Sequence, residues 1–112
     1  MADRIIRQDG IVYGPTANGK TYISLYYHRR DDPGGRKSCW HPDVPPAAEY
    51  VIFEESDVNG WSDAAGHHWG FGHRGRRQLG TKGEVLAKFP RTMNAIDPWH
   101  GYPVSPRDDD DT

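Results

Sequence analysis

The sequence predicts an α+β fold: a small, β-rich single domain with an antiparallel sheet of four to six short strands and one or two short helices. Three observations lead there. Thirteen glycines and nine prolines in 112 residues favour strands, turns and loops over long helices. Two dipeptides of hairpin type, Asp9-Gly10 and Asn18-Gly19, lie between β-branched and aromatic runs. Thirteen aromatic residues offer the buried area that a thin core needs. An all-β barrel is the main alternative. The globular part is expected over residues 1–105, with an acidic, disordered tail at 106–112.

The elements follow in order. "RIIRQDGIVYGP" reads as two strands around the Asp9-Gly10 turn. After Asn18-Gly19, "TYISLYYHRR" is a third strand. Its alternation puts Tyr22, Ser24, Tyr26 and His28 on one face, and Ile23, Leu25 and Tyr27 on the other, which is expected to face the core. "CWHPDVPP" carries three prolines within five residues and excludes regular structure. In "AEYVIFEES" the run at 50–53 favours a strand, with a short helix entered through Pro45 and Pro46 as the alternative. "SDAAG" is a turn or one helical turn capped by Ser62. "HHWGFGHRG" and "RRQLGTKGEVLAKFPR" read as strand, turn, strand, although "EVLAKF" also suits a short helix.

Charge divides the chain unevenly. Residues 1–66 carry a net −3 and residues 92–112 a net −4. Between them, Arg74, Arg76, Arg77, Lys82, Lys88 and Arg91 face only Glu84, so residues 67–91 carry +5. No run of eighteen apolar residues exists, so no transmembrane helix and no membrane partner are expected. The N-terminus lacks a signal-peptide pattern, and Cys39 is the single cysteine. A cytoplasmic location is expected.

Glycines admit an anion close to the backbone, and arginine forks onto phosphate. Arg74, Arg76, Arg77 and Lys82, with Trp69 as a stacking surface, are therefore the candidate ligand-binding residues. The spacing is not that of a Walker loop. His67, His68 and His73 are the candidate acid–base residues of an RNase that needs no metal. On a strand, His67, Trp69, Phe71 and His73 share a face and His68 takes the other; His67 and His73 then stand roughly 20 Å apart unless the chain bends at Gly70 and Gly72. Cys39, His41 and His100 do not make the paired spacing of a zinc site, so no metal is expected, and Cys39 is expected to be buried. "DPWHGYP" is stiffened by Pro98 and Pro103. It either clasps the domain or presents Trp99, His100 and Tyr102 to a protein partner.

"GHHWGFG" is similar to the Gly-His segment of bacterial EndoU-type RNase toxins, but too little chain follows it here for the second half of that fold. "HPDV" resembles the His-Pro-Asn of ubiquitin-conjugating enzymes, but no cysteine follows it. Neither carries a residue role over. The expected function is a binding module for a phosphate-bearing partner, RNA or a nucleotide. The alternatives are the RNase and the protein-interaction module. No cofactor is called for, and the oligomeric state stays open.

Overall fold

The computed structural model describes residues 3–29, 39–71, 78–81, 83–94 and 96–104. Its strands form two three-stranded antiparallel sheets, β1-β2-β3 and β4-β5-β6, with one α-helix. This is the predicted α+β architecture; the described residues form no closed barrel.

In the first sheet, β1 (Asp3–Ile6) and β2 (Gly10–Gly14) meet at the predicted Asp9-Gly10 turn, closed by the Arg7 amide on Gly10 O at 2.7 Å. β3 (Tyr22–Leu25) pairs with β2 after the Asn18-Gly19 loop, where Gly19 takes φ 82°. A positive φ suits glycine because no Cβ obstructs it. β3 is shorter than expected, and a 3-10 helix, Tyr26–Arg29, follows it.

Its inward face also departs from expectation. Tyr22 and Ser24 are buried, as is Ile23. The hydroxyls point inward because the fully buried carboxylate of Glu49 needs donors. Tyr22 Oη donates to it at 2.8 Å and Ser24 Oγ at 2.7 Å.

The run at 50–53 is helical, not extended. α1 spans Pro46–Asn59. Proline stands at its first position, where a missing amide costs nothing. Gly60 ends it in the left-handed region at φ 69°. The inward residues Glu49, Tyr50, Ile52, Phe53, Ser56 and Asp57 recur at three and four, which buries one helix face. That burial outweighs the strand propensity of Val51, Ile52 and Phe53.

In the second sheet, β4 (His68–Phe71), β5 (Leu86–Phe89) and β6 (Tyr102–Val104) run antiparallel. Within "EVLAKF", Leu86–Phe89 is strand and no part is helix. The inner face holds His68, Gly70, Ala87, Phe89 and Pro103, all buried. A Cβ on Gly70 would come within 2.5 Å of Ile52 Cγ2, so glycine is what lets β4 approach α1. Phe53 lies at the centre of the core, with ring centroids of Phe89, Tyr22 and Trp99 at 5.2, 5.3 and 5.5 Å.

Trp99 joins the two sheets. Its amide donates to Thr21 O at 2.8 Å, and the Ile23 amide donates to Trp99 O at 2.7 Å. Trp40 is buried as well, its indole N–H on Gly101 O at 3.1 Å. Tryptophans in turn-rich sequence therefore serve the core at two of four positions, and "DPWHGYP" lies across both sheets. Cys39 is buried, as expected.

Candidate functional site

The turn "SDAAG" builds one wall of a cleft. Asp63 Oδ1 accepts the amides of Ala65 at 2.9 Å and His67 at 3.0 Å. Its Oδ2 accepts the Trp69 indole N–H at 3.0 Å. An aspartate that bonds amides two and four residues ahead fixes a tight loop. Here it also fixes the plane of a tryptophan. Lys88, opposite Trp69 in the β4–β5 register, holds its Nζ 5.4 Å from the indole centroid. Asp63, Ala64, Ala65, His67, Trp69 and Lys88 line the cleft, whose volume is about 610 Å³.

His67 is held from behind. The Arg91 amide donates to His67 Nδ1 at 2.9 Å. Nδ1 is therefore an acceptor, and the proton of the neutral ring lies on Nε2. The Arg91 side chain crosses Gly66, where φ is +90° and a Cβ would meet Arg91 Cδ at 2.9 Å. Glycine at 66 thus lets a guanidinium stem lie beside the cleft.

Burial raises the Asp63 carboxyl, but the indole N–H and the amides of His67 and Ala65 outweigh it and hold it below the usual carboxylate range. Its negative charge is shared among three donors. Among the described residues, Lys88 at the cleft and neighbouring Arg91 are basic.

The predicted residues separate as follows. His67 and Trp69 line the cleft. His68 turns inward against Phe53 and Trp99, at centroid distances of 5.9 and 4.8 Å, and burial depresses its pKa. Trp99 is in the core. His100 and Tyr102 are half-buried beside His28. The His28 ring lies 6.4 Å from His100 with planes 7° apart, and 5.3 Å from Tyr102. Burial also depresses the His100 pKa. His73, Arg74, Arg76, Arg77 and Lys82 lie outside the described residues.

Sequence reasoning counted Lys88 and Arg91 only as charge and missed Asp63. The missed signal was the Asp63-Ala-Ala-Gly-His67 spacing, an aspartate followed by four residues able to turn back on it. Among the described residues no cluster of three or more His, Cys, Asp or Glu side chains could hold a metal, and no helix is long and apolar enough to cross a membrane. No protein-family model, no curated protein and no solved structure matches this chain.

Proposed function

We propose that the protein binds a phosphate-bearing ligand, a nucleotide or RNA, at the cleft between the 63–67 turn and β5. One observation carries the reading: the Trp69 indole is pinned by Asp63 and the Lys88 ammonium lies over its ring, 5.4 Å from the centroid, at an open cleft. A fixed indole offers a stacking surface at low entropic cost. The adjacent ammonium supplies a phosphate contact, and the protonated Nε2 of His67 a directional donor. The net +5 of residues 67–91 supports the same reading.

The RNase reading needs a second proton-transfer group beside His67. Of the three predicted histidines, His67 lines the cleft, His68 turns into the core and His73 lies outside the described residues. The protein-interaction reading rests on His100 and Tyr102, since Trp99 is committed to the core.

Calorimetric titration with AMP, adenosine and inorganic phosphate tests the proposal. AMP is expected to bind more tightly than either fragment. Lys88→Ala is expected to weaken AMP about tenfold and leave adenosine unchanged, a difference near 1.4 kcal/mol. Trp69→Ala is expected to weaken both AMP and adenosine. No saturable binding of AMP at millimolar concentration and low salt would overturn it.

A further inference from the structure

The cleft opens beside the outer face of the second sheet, and that face has an unusual composition. The register sets Trp69, Lys88 and Tyr102 in one row across the three strands. Phe71, Leu86 and Val104 form the next row. Beyond β4, the Trp69 amide donates to Trp61 O at 2.8 Å, and Ser62 bridges His68. This extends the sheet by one short edge and sets Trp61 beside Trp69. Trp61 meets Phe71 edge to face, with centroids 5.5 Å apart. Trp61 is 39% exposed and Phe71 45%, while Trp69, Leu86, Lys88 and Tyr102 are half-buried and Val104 is buried, so the open part of the face lies along β4. No side chain at these positions is acidic, and the one charge is that of Lys88.

We infer that this outer face, with Trp61, Phe71 and Trp69 as stacking surfaces and Lys88 and Arg91 on the backbone, is a platform for single-stranded RNA. The inference extends the reading of the cleft from one nucleotide to a strand. Aromatic rings accept any base face, and stacking on a protein surface needs bases already unpaired. Spacing excludes the duplex. Residues two apart on one strand, such as Trp69 and Phe71, stand about 7 Å apart. Neighbouring bases in a helical strand are about 3.4 Å apart. Two rings at twice that interval take splayed bases, one per ring, and do not match a helical stack.

Charge favours a polyanion. Lys88 and Arg91 are the described basic side chains of a segment, residues 67–91, that holds +5 in a chain of net −2, and its other basic residues lie outside the described ones. RNA is the polyanion that offers unpaired bases in loops and ends, where aromatic side chains take them up. A protein partner of acidic surface would use the charge but not the spaced rings.

The test uses the full chain and fluorescence anisotropy with a labelled ten-nucleotide oligoadenylate. The same strand annealed to its complement, the DNA strand of the same sequence and competing AMP complete the set. The single-stranded RNA is expected to bind at least tenfold more tightly than either the duplex or AMP, and more tightly than the DNA. Trp61→Leu and Phe71→Leu, exposed edge changes that keep apolar volume but remove the ring, are each expected to cost about five- to hundredfold in RNA affinity. Trp61→Phe is expected to retain most of it. AMP affinity is expected to be unaltered by all three. RNA affinity that is the same in both leucine variants as in wild type, or duplex bound as well as single strand, overturns the platform. DNA bound as tightly as RNA overturns its assignment to RNA. If AMP binds and the strand gains nothing over it, the platform fails while the cleft stands. If the strand binds through Trp61 and Phe71 and AMP does not bind, the cleft fails and the platform stands.

Discussion

Asp63 and Trp69 are joined by a 3.0 Å hydrogen bond from the indole N–H to the carboxylate, across a turn that the same carboxylate closes through two backbone amides. One side chain therefore sets both the loop and the ring that faces the cleft. Removing it should release both.

Asp63→Ala is expected to lower stability by about 1 kcal/mol, the usual worth of a turn-closing hydrogen bond at an exposed site. It is also expected to lower AMP affinity several-fold, because binding must then order the indole. Asp63→Asn keeps an oxygen for either the amides or the indole and should fall between. Chemical denaturation alongside AMP titration checks both. An affinity loss no larger in alanine than in asparagine would show that the ring does not need its anchor.

A second prediction concerns pH. Glu49 is fully buried, between the hydroxyls of Tyr22 and Ser24 and the guanidinium of Arg29, which also donates to Val44 O at 2.6 Å. Burial pushes its carboxyl up from 4.5 to about 7, against the pull of Ser24, Tyr22 and Arg29. A raised acid binds its proton more readily folded than unfolded. Its contribution is thus complete below 4.5 and is lost as pH rises through about 7. The change amounts to roughly 3 kcal/mol at about 1.4 kcal/mol per unit. His68 and His100, both depressed by burial below their ordinary 6.5, work in the opposite direction in the lower part of that window. The wild-type curve therefore sums opposing slopes. The difference between wild type and Glu49→Gln isolates the glutamate: its advantage for wild type should shrink from pH 5 to pH 8. Parallel stability curves over that range would refute the assignment.

The Glu49 network also marks what sequence could not yield. Asp9-Gly10 and Asn18-Gly19 announce their turns because turn chemistry is local. The alternation of His68, Trp69, Gly70 and Phe71 announces which residues share a face, because the strand period is two, but not which face turns inward. Glu49 is bonded by side chains 20 to 27 positions away, and nothing near it in the chain foretells that. Without those partners a glutamate reads as surface, and the helix loses an inward residue from its pattern. The apolar run at 50–53 then looks like a strand. Asp57 was hidden for the same reason. Its carboxylate is held by Thr16 and Lys20, both at 2.7 Å, from a loop about 40 residues earlier. The candidate site was legible in part. Trp69 and His67 stood out by type, but Asp63 becomes significant only when the turn at 63–67 brings it against Trp69 of β4.

The last prediction concerns the two charged segments, and it rests on sequence alone. Asp108 to Asp111 and the residues Arg76 and Arg77 lie outside the described residues. A block of four aspartates in the same chain as a basic stretch is a tethered competitor for any anionic ligand. Exposed ion pairs contribute only about 0–1 kcal/mol each and are screened by salt. Deleting residues 108–112 is therefore expected to tighten single-stranded RNA binding about three- to thirtyfold at low salt, equivalent to roughly 0.7–2 kcal/mol. The gain should shrink as the Debye length falls from about 30 Å at 0.01 M to about 8 Å at physiological salt. Arg76→Ala with Arg77→Ala should act in the opposite sense, weakening RNA binding. It should also lower the log–log salt slope by about one unit for each phosphate that the arginines no longer neutralise. Anisotropy titrations at four salt concentrations measure both effects in one series. Equal affinities of full-length and truncated protein at low salt would reduce the aspartates to a solubility device. A salt slope unchanged in the double mutant would remove Arg76 and Arg77 from the binding surface.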